Sequence, residues 1–279
     1  MTSTNPLSRY FRQPAIYMRL PSGGQHYDSD ALDMPPNGEL PVFPMTVRDE
    51  IINRTPDALF NGTSVVDLIH SCVPNIKNAW SVPSIDLDAI LIAIKIATYG
   101  KDLDIVGICT HCKETSDYVI DLNIQLAQIG RSEYQKPAKL GQFEIVYKPL
   151  SYQEINQTNQ AQFNEQKLMN ILPEAQLTDA ERLKQINDLI IKVTEGTIVA
   201  LSKSISMIRT DDTIVTDEQQ IKEFLDNCPS ATFNAIKEGA IEKRNISSMK
   251  PLKLTCSHCT KEYEQILTLD LSNFFGRSS

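Results

Sequence analysis

Four of the six cysteines fall in two identical spacings, Cys109-Thr110-His111-Cys112 and Cys256-Ser257-His258-Cys259. A Cys-x-x-Cys turn aims two thiolates at one ion, and the amides of the turn can donate hydrogen bonds to the sulfurs. Two such turns meeting face to face complete the tetrahedral four-thiolate sphere that structural zinc takes. The flanking residues repeat the same grammar. VGICTHCKETSDYVIDL and LKLTCSHCTKEYEQILTL each read as an entering strand, the knuckle, a polar turn, a tyrosine and a leaving strand. The sequence therefore predicts one structural Zn2+ held by Cys109, Cys112, Cys256 and Cys259 in a zinc ribbon split between two hairpins. Four thiolates leave no coordination position for water or substrate, which argues against a catalytic metal.

The two halves are unusually far apart, with 143 residues between Cys112 and Cys256. Loop-closure entropy grows only logarithmically, so closing such a loop costs on the order of 4–5 kcal/mol. Structural zinc contributes about 10–16 kcal/mol of apparent binding energy, which exceeds that cost. Other readings stand beside this one. A thioredoxin-like redox pair would open a helix after a parallel strand, and neither motif does. Two separate buried pairs without metal are a second reading. Replacement of one cysteine ligand by His111 or His258, each inside its own knuckle, is a third.

Little else in the chain has the spacing that chemistry needs. His26 and His70 have no partner at ligand spacing and read as structural or solvated histidines. No GxSxG, Walker A or GxGxxG occurs, so the sequence predicts no enzyme. Gly23-Gly24 reads as a turn, Asp49-Glu50 as acids at the positive end of a helix and Asp211-Asp212 as a solvated loop. Cys72 and Cys228 stand alone and read as small buried hydrophobes. The formal net charge is −8, and a deficit of Lys and Arg counts against a nucleic-acid partner. Apolar runs fall short of the ~20 residues of a membrane span. The opening MTSTNPLSRYFRQP lacks the apolar region of a secretory signal, so synthesis in the cytoplasm is expected and disulfides are not.

The elements that must position the cysteines give an α+β fold class. A mixed α/β N-terminal part carries the first hairpin, and a helical insertion separates it from the second. Residues 1–14 read as an arm. Residues 15–150 form the mixed part, 151–248 the insertion, and 249–279 the second hairpin and tail. Within the mixed part, AIYMRL and ELPVFPM read as short strands, Thr46 as the cap of a helix that Pro56 ends, and Val65 to Cys72 as a further helix. Ile85 to Tyr99 is apolar nearly all round and closed by Gly100, hence a buried helix. Strands are expected over Leu103–Ile108, Tyr118–Leu122 and Glu144–Tyr147. In the insertion, capping boxes pair Ser151 with Glu154, Thr178 with Glu181 and Thr216 with Gln219. Leu183, Ile186, Ile190, Val193 and Thr197 recur at heptad spacing on a long helix, with Leu189, Ile191, Ile198 and Leu201 widening the stripe. Such a stripe reads first as core, with docking to another subunit as the alternative. Ser230 to Ile246 is the last helix, and Pro251–Thr255 and Tyr263–Leu271 are the strands around the second knuckle.

At both ends lie aromatic pairs, Tyr10-Phe11 and Phe274-Phe275. Each either packs back on the fold or anchors a neighbouring chain.

RQPAIYMRLPSGG, ELPVFPMTVRDE, a helix ending in TYG, the first CxxC, the SYQE box and the terminal CxxC with NFFG together resemble the T-even-like tailed-phage baseplate proteins, from Arg12 to Gly276. The sharpest pieces are Leu20-Pro21-Ser22-Gly23-Gly24, Pro44-Met45-Thr46 with Asp49-Glu50, and the cysteine pairs. The resemblance implies a non-enzymatic component of a contractile tail baseplate or hub, located in the virion tail. Its partners would be other baseplate or tail proteins, with a ring of several copies as one arrangement. The alternatives are a hub assembly factor that leaves before the particle is finished and a zinc-ribbon nucleic-acid adaptor. The adaptor would need a basic cluster on the ribbon, for which Lys113, Lys253, Lys261 and Arg244 are the candidates.

Overall fold

The structure is a computed structural model that describes residues 5–52, 61–130, 133–171, 179–267 and 269. The chain divides into two compact units. The first comprises Met1–Ala79, Asp86–Arg131 and Ser248–Ser279, the second Trp80–Ile85 and Ser132–Ser247.

In the first unit a short 3-10 turn, Pro6–Tyr10, precedes the antiparallel pair β1 (Ile16–Met18) and β2 (Leu40–Val42). Next come α1 (Val47–Ile52), α2 (Thr63–Cys72) and α3 (Ser84–Tyr99). The Thr46 hydroxyl accepts from the Asp49 N–H, and Asp49 Oδ2 accepts from the Thr46 N–H at 2.7 Å, so α1 opens with a reciprocal capping box. Pro56, expected to end this helix, lies outside the described residues. Asp49 also does more than complement a helix dipole. Its Oδ2 accepts from Ser71 Oγ at 3.0 Å and faces Arg12 at 3.5 Å, while Arg12 Nη2 donates to the Ser71 carbonyl at 2.6 Å. Arg12, part of the expected arm, is thereby tied to α1 and α2. Beside it Cys72 is fully buried, its thiol pushed up to about 12 by burial and then by the Asp49 charge.

The Leu20–Gly24 turn is fixed in the same manner. Buried Asp86 on α3 accepts from the Ser22 N–H at 2.8 Å, from the Ser22 hydroxyl and from Tyr27 OH at 3.0 Å. Gly24 sits at φ +85°, where a Cβ would also collide with the end of Met34. Both conditions select glycine. Helix α3 is buried through Ala89–Ile94 and ends at Gly100 with φ +90°. His70 is satisfied, its Nε2 accepting from the Ala79 N–H at 3.0 Å.

After α3 the chain forms the hairpin β3 (Asp102–Ile108) and β4 (Thr115–Asp121), then a short helix α4 (Leu122–Gln128) capped by Asp121. Strands β9 (Leu252–Thr255) and β10 (Glu262–Gln265) make the second hairpin.

The second unit corrects the expectation of a purely helical insertion. Strands β5 (Ala138–Leu140), β6 (Phe143–Tyr147), β7 (Ile205–Arg209) and β8 (Ile214–Val215) form one antiparallel sheet in that order. Against it pack α6 (Asp179–Lys203), α7 (Glu218–Asn227) and α8 (Ser230–Ser247), with α5 (Tyr152–Ile171) against α6, around a core that includes Ile145, Tyr147, Ile205, Ile208, Ile221, Leu225 and Ile236. A bulge between Val146 and Tyr147 pairs Tyr147 with Ile205 and Ile145 with Ile208. That irregularity sets the buried residues of β7, Ile205 and Ile208, three apart, which hides the period of two that marks a strand in sequence. The Tyr147 hydroxyl donates to the Ile236 carbonyl at 2.8 Å.

The Ser151–Glu154 box forms as expected, with Glu154 Oε2 accepting from the Ser151 N–H at 2.8 Å. At α7 the cap is Asp217, accepting from the Gln220 N–H at 2.9 Å, one residue later than the expected Thr216. Thr178 lies outside the described residues. Asp211 and Asp212 occupy the exposed bend between β7 and β8. The stripe on α6 divides: Leu189 and Leu201 are buried, but Leu183, Ile190, Ile191 and Val193 are exposed. The reading of that stripe as core is corrected accordingly. Cys228 is half-buried rather than fully enclosed.

Candidate metal centre

The fold brings together the four cysteines that the spacing singled out. Cys109 closes β3 and Cys256 closes β9, while Cys112 and Cys259 lie in the turns that lead to β4 and β10. In each knuckle the chain turns back on itself in the same way. The Lys113 N–H donates to the Cys109 carbonyl and the Thr260 N–H to the Cys256 carbonyl, both at 3.0 Å. Cys109 N–H donates to Glu114 and Cys256 N–H to Lys261, again at 3.0 Å. Lys113 and Thr260 take matching positive φ values of 64° and 59°. The two turns are thus equivalent in backbone conformation as well as in sequence.

The sulfurs of Cys109 and Cys259 are 3.6 Å apart, as are those of Cys112 and Cys256, and all four lie within 4.8 Å of one another. A tetrahedron with Zn–S bonds of about 2.3 Å has sulfur–sulfur edges of about 3.8 Å. The cluster therefore fits one zinc ion. Turn amides donate to the inner sulfurs, from His111 to Cys109 and from His258 to Cys256, each at 3.4 Å.

The thiol acidities point the same way. The Cys259 backbone N–H holds Cys256 down to about 6, and the Cys112 N–H lowers Cys109. Cys112 goes up to about 12: the Glu114 N–H works against that rise, but burial and contacts with the other three sulfurs outweigh it. Four packed thiols cannot all ionise without a cation among them.

The histidines inside the knuckles turn away from the cluster. His111 Nε2 lies 3.3 Å from the Glu262 carbonyl and His258 Nε2 lies 3.2 Å from the Thr115 carbonyl. Since a carbonyl only accepts, each ring donates across to the opposite hairpin. They join the halves from outside the ligand set.

Several further residues hold the hairpins together, and motif reading did not assign them. Ser116 and Ser257 hydroxyls meet at 2.8 Å, Tyr118 OH donates to the Thr255 carbonyl at 3.1 Å, and Tyr263 OH donates to Tyr118 OH at 3.3 Å. Burial and these hydroxyl contacts surround a small core of Cys109, Leu252, Leu254, Cys256 and Tyr263. Gly107 lies beneath the two tyrosine rings, where a Cβ would run into Tyr263 OH and Tyr118. The tyrosine in each half-site was the visible signal. Gly107, two residues before Cys109, had none beyond being a glycine in a strand.

The surface of the hairpins is not basic. Lys113, Lys253 and Lys261 are exposed, but so are Asp102, Asp104, Glu114, Asp117, Glu262 and Glu264, and Arg244 belongs to the other unit. Carboxylates outnumber the cations there, which disfavours a phosphate backbone as ligand. Of the aromatic candidates, Tyr10 and Phe11 are 70% and 58% exposed. Phe274 and Phe275 lie outside the described residues. Among the described residues no helix is long and apolar enough to cross a membrane.

The family of the T4 bacteriophage base plate protein aligns with residues 16–276, nearly the whole chain. No curated protein and no solved structure matches it. The chain belongs to the T4 base plate protein family.

Proposed function

We propose that this member of the base plate family is a non-enzymatic structural component of a contractile phage tail, acting through contacts with other baseplate or tail proteins. In this reading Cys109, Cys112, Cys256 and Cys259 hold one zinc ion whose role is to fasten the C-terminal hairpin to β3 and β4. The observation that carries the zinc is the sulfur cluster, within 4.8 Å and contributed equally by two hairpins 143 residues apart. The family supplies the setting. A closed thiolate sphere would give the metal a structural role, since no ligand position is left for a reacting group.

Exposed apolar side chains support work by contact. Leu7, Tyr10 and Phe11 stand out from the N-terminal turn, and Val106, Ile108 and Val119 from the outer side of the first hairpin. Aromatic and aliphatic groups held on rigid elements are what interface anchors require.

The test is a count of this chain in purified mature particles by quantitative mass spectrometry, against a tail protein of known copy number. A fixed small-integer ratio supports a resident baseplate component. Presence in infected cells with absence from particles would make it an assembly factor of the hub.

A further inference from the structure

The face of α6 that leaves the core continues into a cavity. Leu183, Ile186, Ile190, Val193, Thr197, Ala200 and Ser204 follow one another at alternating spacings of three and four. That is the seam a second helix fills in a coiled coil. It spans about 31 Å at 1.5 Å per residue. Along its first half the side chains are large, and Leu183, Ile190 and Val193 are 62%, 56% and 45% exposed. Along its second half they shrink to Thr197, Ala200 and, in the turn just past the helix, Ser204, and there the surface opens into a cavity of about 290 Å³. Ala240 and Ile241 of α8 form the opposite wall, and buried Tyr147 is part of the lining. The volume sits at the low end of ligand pockets, which start at roughly 300 Å³. It suits one or two bulky apolar side chains.

The charge around the cavity is one-sided. Lys148, Lys237 and Arg244 line it, and no Asp or Glu does, in a chain with 35 acidic and 27 basic residues. None of the three forms a side-chain ion pair among the described residues. With Glu242 of α8 acting on Tyr147 from outside the lining, three cations and no acid in the lining itself still favour an occupant that brings carboxylates with its anchor.

The geometry points to a docking groove for one amphipathic helix of another protein. Its seam lies along α6, a large apolar residue enters the cavity, and Asp or Glu residues face Lys148, Lys237 and Arg244. The α6 seam of a second copy does not supply that helix. The residues flanking the exposed seam of α6 are Asn187, Thr194 and Lys203, so α6 against α6 would bring no carboxylate to the three cations. The assignment deepens the baseplate reading and rests on it for the source of the partner.

The test uses the full-length chain in infected cells with a benzophenone side chain at Ile241 and, separately, at exposed Ile214 on β8 of the same unit as control. The Ile241 crosslink is expected on one segment of one other protein, with heptad-spaced apolar residues and at least two flanking acids. The Ile214 probe should not reach that segment. Lys237→Glu with Arg244→Glu should lower the crosslink about tenfold, and changing two of the partner's acids to Lys should restore it. Circular dichroism of the exposed-site variant checks that the fold is kept. A crosslink to a second copy, a segment without acids, a yield indifferent to charge reversal, or no Ile241 crosslink overturns the groove. If the confirmed partner is not a particle component, the baseplate reading fails and the groove stands. If the chain is found in particles but the charge exchange fails, the reverse holds.

Discussion

The cysteine-bearing hairpins and the four-stranded sheet of the second unit solve the same problem by different means. The sheet covers itself with helices around ten buried residues, among them Ile145, Ile205, Ile208, Ile221 and Ile236. The core shared by the hairpins has five, and two of those are the cysteines Cys109 and Cys256. Isolated two-stranded hairpins are marginal in water, and a core that small needs a staple. If the proposed site holds zinc, the metal would be part of the hairpins' folding energy, while the sheet has an apolar core of its own.

The largest effect that can break this comparison comes from the ligands. Cys256→Ser should abolish stoichiometric zinc and release the hairpins, because the metal's apparent contribution of about 10–16 kcal/mol exceeds the stability of most domains. Hydrogen exchange by mass spectrometry should then show fast amides in β3, β4, β9 and β10 and unchanged protection in β6, β7 and α8. Equal loss in both units would refute the contrast.

Next is the converse substitution. Ile145→Ala removes a fully buried side chain from the sheet and should cost about 2–5 kcal/mol. The unfolding midpoint of the second unit should drop while zinc content stays at one per chain.

A third effect asks whether the first unit has strain that the metal does not govern. Burial raises the Asp86 carboxyl from 3.8 to about 6, against the lowering by its hydrogen bonds to Ser22 and Tyr27. The folded state therefore binds this proton more readily than the unfolded state. Stability from this group is fullest below about pH 4, falls as pH rises toward 6, and is lost above it, by on the order of 3 kcal/mol. Urea melts of the wild type minus Asp86→Asn should show that downward slope between pH 4 and 6 and a plateau above 7. A flat difference would mean that Asp86 titrates as in the unfolded chain.

The smallest predicted effect lies within the hairpins. Gly107→Ala places a methyl against Tyr118 and Tyr263 and should cost about 1–3 kcal/mol. Faster exchange confined to β3 and β10, with zinc retained, is the expected readout.

Much of the site was legible because it is local. A Cys-x-x-Cys turn fixes its own geometry, and its repetition told which four residues would meet even across 143 intervening positions. The same holds for the boxes at Thr46 and Ser151 and for the glycine after α3, where three or four consecutive residues determine the outcome. What escaped depends on distant partners. Strand β7 is recognisable only once its own bulge at Ser206 is known, because the extra residue breaks the period of two by which a strand is read. Asp49 reads as an ordinary helix-start acid and nothing in the sequence marks Asp86, yet each binds a segment far away in sequence, Arg12 and Ser71 for one and the Leu20–Gly24 turn for the other. These are the same short motifs that carry the family resemblance, and their packing supplies a physical reason for them. The stripe on α6 shows the opposite limit. Its periodicity was plain, but periodicity alone does not say whether a face meets the core or a partner.

The most direct test of the central claim is X-ray absorption at the zinc edge on full-length protein, with metal content measured on the same sample. The account predicts one zinc per chain with four sulfur neighbours at about 2.3 Å and no nitrogen in the shell. Substoichiometric zinc, or a shell in which an imidazole of His111 or His258 replaces a sulfur, would contradict it.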